Sequence, residues 1–122
     1  MLIYFVAPKL PTLDVTIASR YPRSMIKTFA NKETAACYAG LRVRRFAAEW
    51  LPVARRKLDQ LQAAESLDFL RVPPGNRLEA LGGDRAGQWS IRINGQWRLC
   101  FEWRDGHAWN VEIVDYHQKD RA

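Results

Sequence analysis

A regular alternation of apolar and polar residues over positions 89–114 constrains the fold of this chain more than any other feature. Side chains point to alternate faces of a β-strand, so this alternation predicts strands with one buried and one polar face. Two dipeptides that favour tight hairpin turns, Asn94-Gly95 and Asp105-Gly106, divide the segment into three strands. The predicted inward residues are Trp89, Ile91, Ile93, Trp97, Leu99, Phe101, Trp103, Trp109, Val111 and Ile113.

The apolar pattern also selects the register of the first hairpin. Side chains that are paired directly across two strands share a face of the sheet. A two-residue turn at Asn94-Gly95 pairs Ile91 with Arg98 and places an arginine among the core residues. A three-residue loop at 94–96 pairs Ile91 with Leu99 instead, and we therefore predict the longer loop.

The same reasoning predicts a loop at 105–107 in the second hairpin. This loop pairs Phe101 with Val111, and Leu99 with Ile113, so that apolar residues again meet on one face. The other face of the sheet is then polar and remains open for function. It carries Arg92, Arg98, Glu112, Val114 and Tyr116.

Two segments upstream of the strands have helical spacing. Asn31 caps a helix predicted over 32–39, with Gly40 as its stop. A longer helix begins near Trp50 and carries an apolar stripe for the core. The basic residues 55–57 fall largely outside this stripe, on the face expected to be solvated. The stripe consists of Leu51, Ala54, Leu58, Leu61 and Ala64.

Helices, a loop at 76–88 and strands in this order predict an α+β fold. We expect a small twisted antiparallel sheet with two to three helices packed on one face. Residues 1–24 contain three of the six prolines and lack a helical period, whereas Met25 opens a short strand. This segment is either a genuine N-terminal arm or upstream sequence from a misassigned start. We favour the second, which leaves 25–122 as the domain and 1–24 as an extension.

Composition and charge narrow the classes of function. The chain has 19 Lys and Arg against 13 Asp and Glu, a net charge of +6, which indicates a polyanionic partner. No apolar run approaches the ~20 residues of a membrane-spanning helix, so we expect a cytoplasmic protein without membrane contact. Cys37 and Cys100 are too few for a disulfide framework and have no metal-spaced histidine nearby. No metal or other cofactor is expected.

The polar face of the predicted sheet carries side chains suited to cleaving RNA. Arg92 and Arg98 lie on adjacent strands beside Tyr116, and His117 follows directly. Metal-independent cleavage needs a base for the 2′-hydroxyl, cations for the charge at phosphorus and an acid for the leaving 5′-oxygen. Arginine supplies the charge, and histidine titrates near neutrality. A solvated sheet face has a similar composition, so the pattern alone leaves both interpretations open.

The order of several segments resembles the HigB, or killer protein, branch of the RelE-like toxins. The resemblance covers about residues 25–117, which is nearly the whole predicted domain. The matching segments are MIKTF at 25–29, ARRKL at 54–58, PPGNRL at 73–78, RLEALGGDRAGQWSIRIN at 77–94, QWRLCF at 96–101 and VEIVDYH at 111–117.

This resemblance implies a RelE-like fold and the toxin of a type II toxin–antitoxin system. Such a toxin is a ribosome-dependent mRNA endonuclease that enters the ribosomal A site, cleaves the message there and inhibits translation and growth. The implied partner is an antitoxin of the HigA type with a helix-turn-helix domain. Operator DNA is contacted only through the toxin–antitoxin complex.

By position, the resemblance assigns Arg98 to the scissile phosphate, and Tyr116 and His117 to the rest of the catalytic centre. The residues that it assigns to the RNA backbone are Arg77, Arg85 and Arg92.

Two positions depart from the pattern of many relatives, which have His in place of Glu79 and Lys in place of Gly82. A carboxylate at position 79 is either a general base or a surface residue. Gly82 supplies no cation, so a neighbouring arginine must substitute or the rate falls. The alternative functions are therefore a non-catalytic RelE-like module that binds RNA or an antitoxin, and a basic face that only docks an acidic antitoxin segment.

Overall fold

Six strands form one sheet in this computed structural model, which describes residues 4–5 and 25–116. Their spatial order is β1-β2-β6-β5-β4-β3. The strands are β1 (Tyr4–Phe5), β2 (Thr28–Phe29), β3 (Glu79–Ala80), β4 (Gln88–Arg92), β5 (Trp97–Arg104) and β6 (His107–Asp115). The α+β prediction is confirmed, but the sheet is mixed, since β2 runs parallel to β6 while the other neighbours are antiparallel. Parallel strands require a long crossover, which the intervening helices and hairpins supply.

Within residues 25–116, two α-helices, α1 (Lys32–Tyr38) and α2 (Leu51–Ala63), precede the large hairpins. The Asn31 side chain accepts a hydrogen bond from the Thr34 amide at 2.8 Å and so caps α1 as predicted. Short 3-10 helices at Leu67–Arg71, Pro74–Asn76 and Gly83–Arg85 follow α2. The segment 76–88 is therefore not entirely a loop as predicted, because β3 pairs with β4 within it.

The apolar stripe of α2 packs against the inward face of the sheet. Leu58 and Leu61 of this helix are fully buried with Ile91, Leu99 and Phe101 of the strands. Lys57 is also buried, which contradicts its predicted place on a solvated face. The segment that follows α2 packs over Lys57, and the Lys57 ammonium donates a hydrogen bond to the side-chain oxygen of Asn76.

The first hairpin has the predicted register. Ile91 faces Leu99 and Arg92 faces Arg98 across β4 and β5. The Asn94 side chain accepts hydrogen bonds from the amides of residues 96 and 97, each at 2.8 Å, and holds the loop at 94–96. The Asn94 side chain therefore closes the three-residue loop that produces the predicted pairing.

The second hairpin differs from the prediction at its turn. Arg104 pairs with His107, so the loop is the two-residue turn Asp105-Gly106 with positive φ at both positions, and not 105–107. A β-bulge then adds one residue to β6 at Asn110, which has a φ of 53°. The bulge restores the predicted pairing of Leu99 with Ile113, although Phe101 lies within it and does not pair regularly with Val111.

The bulge also reverses the side chain of Trp109, which was predicted to face inward. Trp109 pairs with Glu102 on the polar face, and its ring stacks under the Arg104 guanidinium at 4.5 Å. Ala108 takes the buried position instead. Apart from β1, residues 1–24 lie outside the described part of the chain, so the domain boundary at residue 25 stays a prediction.

Candidate functional site

The face of the sheet opposite the helices, here called the outer face, carries the predicted site. Its centre is covered and not freely solvated, because Ser90 and Cys100 are fully buried there. Arg85 and Arg98 lie close enough to Cys100 for their charges to act on its thiol. The outer face carries Ser90, Arg92, Arg98, Cys100, Glu112 and Tyr116.

Arg98 is held from two sides by hydrogen bonds that its guanidinium donates. Its Nε donates to Ser90 Oγ at 2.8 Å, and its Nη2 donates to the carbonyl oxygen of Arg77 at 2.6 Å. Bonds to two nitrogens of one planar group fix both its position and its orientation. The Arg98 side chain is only 11% exposed, so a ligand can approach it from few directions.

Arg77 contributes its backbone to this arrangement, which sequence analysis did not predict. Its φ of 46° and ψ of 60° place it in the left-handed region, which a non-glycine residue adopts at a cost. This conformation ends the 3-10 helix Pro74–Asn76 and directs the Arg77 carbonyl to Arg98. The Arg77 side chain itself is exposed.

Glu79 lies at the rim of the site. One carboxylate oxygen is 3.8 Å from Arg98 Nη2, and the Glu79 side chain is 56% exposed. Its place on β3, opposite Ser90 of β4, brings it to Arg98. Glu79 is thus neither buried nor remote: it is a solvent-accessible carboxylate beside the central guanidinium.

Tyr116 covers the other side of Arg98, with its ring centroid 5.9 Å from the guanidinium carbon. Its hydroxyl hydrogen-bonds to the buried thiol of Cys100. Burial, together with the neighbouring thiol, raises the pKa of Tyr116 to about 12. At neutral pH the phenol is therefore protonated and directed into the sheet, which leaves the ring as the part of Tyr116 presented to a ligand.

Arg85 lies next to this group on the outer face. Its Nη2 donates to Glu112 at 3.3 Å and its Nη1 donates to Gln88 at 2.9 Å. Its Nε is buried without a hydrogen-bond partner among the described residues. A buried donor without a partner costs free energy, so Arg85 carries an unused N–H donor beneath the outer face.

The structure brings together most of the predicted site residues. Tyr116 and Glu79 each lie beside Arg98, and Arg85 lies close to Tyr116. Arg92 is paired with Arg98 across the strands but is exposed, and its guanidinium extends over the turn near Gly95. His117, the predicted acid or base, lies outside the described residues.

Sequence reasoning missed the residues that hold the arginines. Ser90 and Cys100 alternate in phase with Arg98, so the same period of two that placed Arg98 on the outer face also placed them there. The alternation placed Glu112 on this face but did not predict its ion pair with Arg85. In the described part of the chain, no three Asp, Glu, His or Cys side chains come together as a metal would require, and no helix is long and apolar enough to cross a bilayer.

Fold and site together define a small basic α+β protein whose sheet presents arginines on one face. A family described as the "RelE-like toxin of type II toxin-antitoxin system HigB" matches residues 27–117. The chain belongs to this HigB-like toxin family.

Two relatives give the extent of the similarity. Toxin HigB-1 of Vibrio cholerae serotype O1 is 54% identical over 63 residues, which are 52% of this chain and 65% of the relative. Endoribonuclease HigB of Proteus vulgaris is 42% identical over 41 residues, 34% of this chain and 45% of the relative. The chain therefore spans less than two thirds of the length of the relatives that it matches.

Alkaline unfolding tests the protonation state of Tyr116. Its folded pKa of about 12 exceeds the value of about 10 for an unfolded chain. The stability linked to this group is therefore complete below about pH 10 and is lost as pH rises through about 12. In urea titrations at about pH 9 and 11.5, we expect Tyr116→Phe to lose roughly 1 kcal/mol less than the unsubstituted protein, about half of what the full shift gives, because Tyr116 is only half-buried and solvent screens the effect. Equal losses in the two proteins would contradict a buried, protonated phenol.

Proposed function

We propose that this protein is a toxin that cleaves mRNA on the ribosome, by attack of the 2′-hydroxyl on the scissile phosphate without a metal ion. The observation that carries the proposal is the fixed guanidinium of Arg98 between Glu79 and Tyr116. Membership of the HigB-like family and the name of the Proteus vulgaris relative support the same activity. The reaction forms a 2′,3′-cyclic phosphate and releases a 5′-hydroxyl end.

Arg98 is proposed to bind the scissile phosphate. Phosphate oxygens suit the planar donors of arginine, and a dianionic phosphorane requires donors that are already in place. The bonds to Ser90 and Arg77 supply this preorganisation. A phosphate that reaches Arg98 displaces the weakly paired Glu79 carboxylate, which lies 3.8 Å away.

Glu79 and His117 are proposed to move the two protons. Glu79, once displaced from Arg98, takes the proton from the 2′-hydroxyl as general base. His117 follows Tyr116 in sequence and gives a proton to the leaving 5′-oxygen, as its near-neutral reference pKa permits. The Tyr116 ring stacks on a base next to the scissile bond, since its hydroxyl is engaged with Cys100.

Arg77, Arg85 and Arg92 are proposed to hold the RNA backbone. They surround Arg98 on the outer face or its rim, and each phosphate contact makes binding dependent on salt. With Gly82 lacking a side chain, Arg85, three residues further along the chain, or Arg77 is proposed to replace the missing lysine. The ribosomal A site is proposed as the place of cleavage, because it presents single-stranded codons to an exposed protein face.

The proposed partner that neutralises the toxin is an antitoxin of the HigA type with a helix-turn-helix domain. The family description supports an antitoxin as such, and the helix-turn-helix class follows from the resemblance. The chain is proposed to contact operator DNA only through that complex. A neighbouring reading frame that encodes such a protein and relieves growth arrest on co-expression is the expected genetic observation.

Induction in a bacterial host tests the central residue. We expect growth arrest and in-frame mRNA ends with a 5′-hydroxyl, and Arg98→Ala should reduce cleavage by at least about 10²-fold, since it removes a preorganised donor. His117→Gln should also relieve arrest. Arg71→Ala is the matched control, because Arg71 is an exposed arginine whose ion pair within the described residues is with Asp68. Arrest and cleavage that persist in Arg98→Ala and His117→Gln would leave the non-catalytic module as the better function.

The role of Glu79 has its own test on purified ribosomes programmed with mRNA. If its carboxylate is the general base, Glu79→Gln should reduce single-turnover cleavage by about 10²–10⁴-fold. Asp84→Asn is the control, since Asp84 is an exposed carboxylate in the same segment, and it should cleave at the unsubstituted rate. Cleavage by Glu79→Gln at or above that rate would make Glu79 a counter-ion of Arg98 only.

A further inference from the structure

A buried polar cluster joins α2 to the segment between α2 and β3. Lys57 of α2 is 8% exposed and donates a hydrogen bond to the side-chain oxygen of Asn76, which is fully buried. Burial lowers the pKa of Lys57, and the neighbouring cations Arg56 and Arg92 lower it further. In the part of the chain that the structure describes, no salt bridge joins Lys57 to a carboxylate, and a buried ammonium without an anionic partner is unfavourable for stability.

Asn76 uses both ends of its amide. Its oxygen accepts from Lys57, and its nitrogen donates to the Leu70 carbonyl at 3.0 Å and to Gln60 Oε1 at 3.2 Å. These bonds attach the 3-10 helix Pro74–Asn76 both to α2 and to the preceding 3-10 helix. Neither aspartate nor leucine can make the whole set, because aspartate lacks the donor and leucine lacks both groups.

The next residue along the chain is Arg77, whose carbonyl holds Arg98. Because a backbone carbonyl is displaced when its neighbouring residue moves, the anchor at Asn76 determines where the Arg77 oxygen lies. That oxygen is one of the two points that orient the Arg98 guanidinium, at 2.6 Å, the other being Ser90 Oγ at 2.8 Å. Arg77 also has a left-handed conformation, which a non-glycine residue adopts only where its surroundings enforce it. This conformation is a second indication that the position of the Arg77 carbonyl is fixed by its neighbours.

We propose that Asn76, held by Lys57, is a positioning residue for Arg98: the buried pair fixes the Arg77 carbonyl and through it the guanidinium that receives the scissile phosphate. This inference rests on the proposed nuclease function for its effect on cleavage. The placement of Arg98 itself does not depend on that function.

The test compares Lys57→Met and Asn76→Ala with a control of similar structural cost. Methionine keeps most of the lysine stem, so it removes the ammonium with little loss of packing. The control is Thr34→Val, because Thr34 is a fully buried polar residue whose hydroxyl accepts one backbone bond, from the Ile113 amide, on the helix side of the sheet. Urea titrations rank the stability losses of all three.

Two readouts separate positioning from folding. On programmed ribosomes, Lys57→Met and Asn76→Ala should lower kcat by at least about tenfold, since small displacements of a catalytic group are costly, with KM changed far less. Thr34→Val should keep its kcat. In NMR spectra of the full chain, the Arg98 Nε–H resonance, identified by its absence in Arg98→Lys, should shift and exchange faster with water in the first two variants only.

The inference would be overturned if Lys57→Met lost as much stability as Thr34→Val and yet kept its kcat and its Arg98 resonance unchanged. If Asn76→Ala does not fold, the Lys57→Met data decide alone. If no protein cleaves RNA yet the resonance moves as described, the positioning role stands and the nuclease proposal fails.

Discussion

The hydrogen bond from Arg98 Nε to Ser90 Oγ depends on the register of β4 and β5, and the site depends on this bond. Ser90 pairs with Cys100 and Arg92 with Arg98, so Arg98 reaches diagonally across to Ser90 on the same face. Any slip by one residue would turn Arg98 into the core. The Asn94 side chain that closes the loop at 94–96 therefore also secures the position of the proposed catalytic guanidinium.

Each of the two arginines nearest Tyr116 has a carboxylate partner. Glu79 lies 3.8 Å from Arg98, and Glu112 lies 3.3 Å from Arg85. Such partly exposed pairs contribute little to stability, and an incoming phosphate with bidentate geometry replaces them readily. Ser90 and the Arg77 carbonyl orient Arg98, so the proposed displacement of Glu79 by a phosphate leaves that guanidinium in place.

Period-two alternation and hairpin signals were sufficient to predict the fold class, the first hairpin and the outer position of Arg98. They were not sufficient at the second hairpin, where two local rules conflict. Asp105-Gly106 favours a two-residue turn, whereas the core requires Leu99 opposite Ile113; the bulge at Asn110 satisfies both and turns Trp109 outward. A bulge depends on how two strands pair, so the alternation within one strand does not predict it.

The sequence predicted which side chains lie on the outer face but not the contacts that hold them in place. Tyr116 lies beside Arg98 on the outer face, where the alternation placed both residues, and Glu79, which the sequence left as either a general base or a surface residue, lies 3.8 Å from Arg98. The Arg77 carbonyl and the buried Lys57–Asn76 pair were missed, because a lysine beside two other basic residues looks solvated in a helical pattern. Its burial results from the way the chain folds back after α2, a tertiary contact that local spacing does not contain.

Photo-crosslinking on the ribosome measures whether mRNA lies on the outer face. A photoreactive amino acid at Ala86, exposed beside Arg85, is compared with one at Ala63, exposed on α2 on the other side of the sheet. With a 2′-deoxy codon that blocks cleavage in the A site, we expect crosslinks to the message from position 86 and none from position 63. Crosslinks to the message from position 63 alone would contradict it.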